Sequence, residues 1–280
     1  MAEVLITPLE LAEMLLATPP ILLDVRWQLG DFDGRHAYRE GHIPGAVYVD
    51  LDSELAAPPS GPVGGRHPLP DVADLQEAAR RWGIDDAVPV VVYDDSGNLA
   101  AARAWWLLRW AGVADVRLLD GGLAAWRAEG LRTTTGDGGR PRAGNVTLSP
   151  GHLPVATMDS VAAGPAHLLD ARAAERYRGD VEPVDPRAGH IPGAISVPTA
   201  DNVDTSGRFR PAEELRRRFA DVGIDGGAGS DVVVYCGSGI NAAHQIAALA
   251  ITGIDAALFP GSFSQWSSNP ERPVAEGDRP

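Results

Sequence analysis

The chain has 280 residues, 44% of them hydrophobic and 22% charged, and carries a formal net charge of −14. Such proportions suit a folded globular protein of one large domain or two ordinary ones. The acidic balance works against nucleic acid or an anionic membrane as partner, and no apolar run approaches the ~18 residues needed to span a bilayer. The chain holds one cysteine, which cannot form an internal disulfide, and its start, MAEVLITPLELAEMLL, has no basic segment, long apolar run or cleavage site. A reducing cytoplasm is therefore expected. An anionic substrate would have to be drawn in by local arginines against the global field.

Along the chain, Leu9, Leu11, Met14 and Leu15 have helical spacing, and ILLDVR at 21–26 is an apolar run of strand length. The turn GHIPGA at 41–46 leads to a helix in DVADLQEAARRWGI, with Gly83 suited to its C-terminal end. VVVY at 90–93 reads as a buried strand, followed by a turn and the helix AAARAWWLLRWAG, where Trp105, Trp106 and Trp110 are spaced for core packing. Then TGDGGRPRAGNVTLSPG, at 135–151, breaks the pattern with glycine and proline. Beyond it the series repeats: HLLDAR at 167–172, GHIPGA at 189–194, the helix PAEELRRRFADVGI, and VVVYCGSGINAAH from 232, with DGGLAAW in the first series matched by PGSFSQW in the second.

The two GHIPGA turns lie 148 residues apart, which points to duplication of a whole domain. The expected organisation is a first domain over 1–140, a linker over 141–152 and a second domain over 153–280. Short all-apolar strands alternating with helices predict an α/β fold in each copy, a mainly parallel sheet with helices on both faces. Ligands in such folds sit outside the carboxyl ends of the strands.

Cys236 stands at such an end. Gly237 and Gly239 permit the positive φ that would curl the loop and turn amides toward the sulfur, and a helix beginning near Asn241 would add its positive end. A thiolate would be stabilised there. For any thiol, a fall in pKa from ~8.5 to ~6.5 raises the thiolate fraction about 25-fold at neutral pH but lowers its nucleophilicity about 8-fold. The small net gain means that the cradle is better suited to holding an anionic sulfur intermediate than to activating the thiol. A buried structural cysteine is the bland alternative. No Lys-Ser/Thr follows the glycines as in a phosphate loop, and no arginine closes the loop as in a cysteine phosphatase.

The tandem copies, a GHIPGA in each and a C-terminal strand ending in a cysteine loop resemble the two-domain rhodanese sulfurtransferases, over nearly the whole chain. The resemblance implies a first domain without a nucleophile, consistent with Asp94 at the place of Cys236, and a second, catalytic domain. CGSG followed by an aliphatic residue, Ile240, is similar to the 3-mercaptopyruvate sulfurtransferases, which implies transfer of sulfur from that donor through a Cys236 persulfide. Arg178 and Arg187 then stand in the places of the two arginines that grip the donor carboxylate, with Gly237, Gly239, Ile240 and Asn241 lining the site. Relatives usually have threonine at Asn241. The same resemblance implies a proton relay of Ser238, His42 and Asp33, with Asp31 an alternative to Asp33; His190 repeats His42 in the other copy, so a structural role for that histidine stands beside the catalytic one. Asp24 and Asp170 are expected to stabilise loops, and His244 to be packed. The acceptor would be a thiol, a thioredoxin-like protein or cyanide, without metal or cofactor. Thiosulfate as donor, and a persulfide carrier with little turnover of small donors, are the competing readings.

Overall fold

The computed structural model describes residues 3–30, 33–139, 141–225 and 231–280. The chain forms two compact units, one of residues 1–57, 70–153 and 204–209, the other of 58–69, 154–203 and 210–280. Two segments lie outside their own copy. Pro58–Leu69 packs in the second unit and Asp204–Phe209 in the first. The expected linker is also a packed extension of the first unit. Val146 and Leu148 are buried, and backbone bonds join Gly144 to Arg80, Val146 to Ile84 and His152 to Trp110.

The first unit contains β1 (Leu5–Ile6), α1 (Pro8–Ala17), β2 (Ile21–Val25), α2 (Gly34–Glu40), β3 (Val47–Val49), α3 (Leu51–Glu54), α4 (Val72–Arg81), β4 (Val90–Tyr93), α5 (Ala101–Trp110), β5 (Val116–Leu119) and α6 (Gly122–Ala128). Its sheet is parallel throughout, ordered β1-β5-β4-β2-β3. Leu22, Val91 and Tyr93 on one face pack with Leu11 of α1, Tyr38 of α2 and Trp126 of α6. Val90 and Val92, of opposite parity along β4, are equally buried, and α5 packs against β4 and β5. Burial on both faces is why VVVY shows no polar alternation.

The second unit repeats the plan with α7 (Met158–Ala162), β6 (His167–Asp170), α8 (Ala174–Arg178), β7 (Ala194–Ser196), α9 (Ala212–Ala220), β8 (Val232–Tyr235), α10 (Ile240–Ile251), β9 (Ala257–Leu258) and α11 (Ser262–Ser267). The order is β7-β6-β8-β9, and what was β1 in the first sheet survives as a single parallel bridge, Val155 to Leu258.

Duplication extends to the polar framework beneath each strand end. Arg26 donates to Asp24 (2.5 Å) and to the Gly41 carbonyl (2.9 Å), and Arg172 donates to Asp170 (2.6 Å) and to the Gly189 carbonyl (2.6 Å). Tyr93 and Tyr235 each accept, at the hydroxyl, the amide of the isoleucine in GHIPGA. Asp24 and Asp170 therefore hold the turns in place, a buried ion pair in each copy fixing the chain entering the next strand.

Candidate active site

The second unit's central strand, β8, delivers Cys236 at its carboxyl end, where the residue is 3% exposed. The start of α11 fixes the backbone there. Phe263 donates to the Cys236 carbonyl (3.0 Å), Ser264 to the Gly237 carbonyl (2.9 Å), and the Cys236 amide donates to Ser262 Oγ (3.2 Å). Ser262 has φ +54°, where the matched residue of the first unit is Gly122 at +57°. A left-handed residue with a β-carbon costs about 1–3 kcal/mol. Ser262 tolerates it because its hydroxyl binds the Cys236 amide and the Phe259 carbonyl at once.

Gly239 donates its amide to Cys236 Sγ at 3.1 Å and, at φ +84°, is the residue from which α10 starts. The helix therefore begins at Ile240, and Asn241 is its second residue rather than its cap, so the exchange of threonine for asparagine does not bear on capping. The twelve-residue helix brings its positive end to the sulfur. Ser238 is buried in the loop, and Ile240 and His244 are buried on α10.

The first unit shows what this loop does with an anion. Asp94, wholly buried at the place of Cys236, accepts four amides, from Ser96 (2.9 Å), Asn98 (2.8 Å), Ala100 (2.9 Å) and Ala101 (3.0 Å). Burial pushes its carboxyl up, and the four amides pull it part of the way back. The duplicated strand-loop-helix holds the chain's own carboxylate with four amides in one copy and turns the Gly239 amide onto the sulfur in the other.

Gly237 has a different reason for being glycine from the one the sequence suggests. Its φ is not left-handed; instead, a β-carbon there would meet Arg66 Nη2 at 2.8 Å and Arg176 Nη1 at 3.5 Å. Two guanidiniums thus lie against the backbone next to Cys236. Arg66 comes from the Pro58–Leu69 segment, its amide donating to Ser264 Oγ (3.1 Å), and Arg176 comes from α8. Both bind Asp185, Arg66 through Nη1 and Arg176 through Nη2 at 3.1 Å; Arg176 also binds Glu182 at 2.6 Å. Arg66 Nε is buried and has no partner among the described residues.

Arg178 and Arg187, the expected carboxylate grip, both have partners within the protein. Arg178 turns away to Asp180 (2.7 Å) and Asp278 (3.8 Å), because residues two apart on a helix face different ways and Arg176 takes the inward one. Arg187 gives all three of its nitrogens to the carbonyls of Ser267, Arg272, Trp266 and Asn269. Arg187→Ala is accordingly expected to cost about 2–4 kcal/mol of stability by stranding these acceptors, read as a lower urea midpoint, with the donor KM unchanged.

The structure gives His42 and Asp33 local duties in the first unit. The His42 ring stacks on Tyr38 (3.9 Å) and donates from Nδ1 to the Tyr38 carbonyl (2.9 Å), and His190 repeats this on Tyr177 at 3.8 and 2.8 Å. His42 and Thr134 exchange backbone bonds, as do His190 and Ala275. The two rings differ at Nε2, which in His190 meets the Arg279 carbonyl (3.0 Å) and in His42 is buried without a partner among the described residues. Asp33 caps α2, accepting the His36 amide at 2.9 Å; Asp31 lies outside the described residues. Among the described residues, no group of three or more His, Cys, Asp or Glu could hold a metal ion, and no helix is long and apolar enough to cross a membrane.

Sequence reasoning missed Arg66, Arg176 and Ser262. Arg176 was within reach through the helical phase of ERYR. Arg66 gave no signal, since it lies in a proline- and glycine-rich loop of the other copy.

Known proteins bear on this arrangement. The sequence matches the rhodanese-like domain family over residues 7–129 and 156–269. It is 52% identical to a putative thiosulfate sulfurtransferase of Mycobacterium tuberculosis and 45% identical to a probable 3-mercaptopyruvate sulfurtransferase of Pseudomonas aeruginosa, over 98% of each chain in both cases. The crystal structure of SseA from Escherichia coli, described as a 3-mercaptopyruvate sulfotransferase, superposes with a TM-score of 0.81 at 30% identity, covering 92% of this chain and 98% of that one.

Proposed function

The chain belongs to the rhodanese-like sulfurtransferase family, and from that premise we propose that Cys236 carries the transferred sulfur as a persulfide, with 3-mercaptopyruvate as donor. The observation that carries this reading is the pairing of the Gly239 amide on Cys236 Sγ, at the start of α10, with two guanidiniums packed against Gly237. The thiolate attacks the donor sulfur, the carbon–sulfur bond breaks, and its electron pair leaves with pyruvate as the enolate. The donor's thiol proton ends on the pyruvate methyl group, with the Ser238 hydroxyl the loop's own proton carrier. Arg66 and Arg176 hold the donor carboxylate, since a planar guanidinium fork binds a carboxylate through two charge-assisted bonds. The cradle and the α10 terminus hold the persulfide anion until an acceptor thiolate, on a small molecule or a thioredoxin-like protein, or cyanide attacks the outer sulfur and frees Cys236. A reducing cytoplasm suits this chemistry.

Thiosulfate is the second reading, favoured by the name of the Mycobacterium tuberculosis relative at 52% identity. Loading the protein with each donor in turn and measuring kcat/KM with a common acceptor decides between them. A higher value for 3-mercaptopyruvate is expected; loading by thiosulfate alone would overturn the donor assignment.

A further inference from the structure

We infer that Asp185 sets the donor preference of this site, by holding a negative charge where a donor anion must bind and so penalising a dianion more than a monoanion. The inference rests on the proposed donor site at Arg66 and Arg176.

Three cations and three carboxylates are gathered beside the cysteine loop. Asp170 is wholly buried and committed to Arg172, which donates to it from Nε (3.0 Å) and Nη2 (2.6 Å). Glu182 is anchored by the amides of Val184 (3.0 Å) and Asp185 (2.9 Å) as well as by Arg176. Its burial pushes the carboxyl up, but these bonds outweigh that and hold it below the usual range.

Asp185 is different. Its side chain is 1% exposed, and among the described residues its carboxylate accepts only from Arg66 and Arg176, with no backbone amide to hold it. Burial pushes its carboxyl up by more than the two arginines pull it down, with the charge of Glu182 adding to the rise. It is the least anchored of the three acids, and it occupies the two forks that the donor needs.

A donor therefore competes with an internal carboxylate of its own kind. Once the forks turn to the donor, Asp185 remains on the 182–185 loop beside it, facing a like charge. With three acids against three arginines, the cluster offers no surplus positive charge. The carboxylate of 3-mercaptopyruvate meets this repulsion once; thiosulfate, with two charges, meets it twice. Across a part-buried site of effective dielectric constant ~20, one added like charge within ~10 Å is worth about tenfold in binding or more.

The test is kcat/KM for both donors in wild type, Asp185→Asn, Asp185→Ser and Asp185→Glu, with donor loading followed by intact mass. Both neutral variants are expected to raise the ratio of thiosulfate to 3-mercaptopyruvate efficiency about tenfold, and Asp185→Glu, which keeps the charge, to leave it within about twofold. A purely structural role would change both donors by the same factor, and that result overturns the inference while leaving the donor site standing. A ratio that moves as far in Asp185→Glu as in Asp185→Asn overturns it as well. If wild type takes sulfur from neither donor, the donor site itself fails and the inference falls with it.

Discussion

In Cys236→Ser, brief exposure to 3-mercaptopyruvate is expected to leave the intact mass unchanged, whereas the wild-type protein gains one sulfur, roughly 32 Da. Sulfur transfer should fall to background, because a serine hydroxyl at neutral pH is neither ionised nor able to hold sulfane sulfur. The readout is clean because Cys236 is the only thiol in the chain. The first unit supplies a sharper companion. Asp94 already sits in the equivalent loop with four amides on its carboxylate, so Cys236→Asp should fill the cradle with a fixed anion. That variant is expected to be as inactive as the serine one and to melt at the same temperature or above it. A sulfur gain in either variant would move the chemistry away from Cys236; a Cys236→Asp protein much less stable than Cys236→Ser would mean that the second loop does not bind anions as the first does.

The parts of the molecule that the sequence made legible are those that duplication wrote twice. The two GHIPGA turns, the two LLD strand ends and the two VVVY strands recur in register, and each pair has one explanation: a stacked histidine, a buried Asp–Arg pair, a strand covered on both faces. Repetition also limited what could be read. The repeat of His42 as His190 already set a structural reading beside the catalytic one, and the two rings do share a stack, on Tyr38 and on Tyr177. The proposed donor site escaped because it is the unduplicated part. Arg66 reaches the cysteine loop through a segment that folds with the other copy, and nothing local in PPSGPVGGRHPLP encodes that destination. Arg176 and Arg178 differ only in helical phase, and the inward one is chosen by the packing of Tyr177 between them. Ser262 was hidden because its strain is a property of φ, visible only beside Gly122.

Arg66→Ala and Arg176→Ala should each raise the KM for 3-mercaptopyruvate by about 10–100-fold, the worth of a charge-assisted hydrogen bond to a carboxylate at ~1.5–3 kcal/mol. The chemical step happens at sulfur, so kcat should fall less than kcat/KM. The two substitutions will not be additive, because both arginines share Asp185. Arg176→Ala also takes a cation from Glu182, whose side chain is 4% exposed, and its effect on KM must be read alongside a thermal melt. Arg66 has no such second duty toward Glu182, which makes Arg66→Ala the cleaner test. Arg66→Lys should recover only part of the loss, since an ammonium keeps the charge but not the fork. Arg178→Ala is the control: its partners are Asp180 and Asp278, and its KM should match wild type. A KM unchanged in Arg66→Ala, or raised equally in Arg178→Ala, would place the donor carboxylate elsewhere. The expected pattern would instead tie donor binding to a residue from the first sequence repeat that folds in the second unit, and would explain why the cysteine loop itself needs no cation.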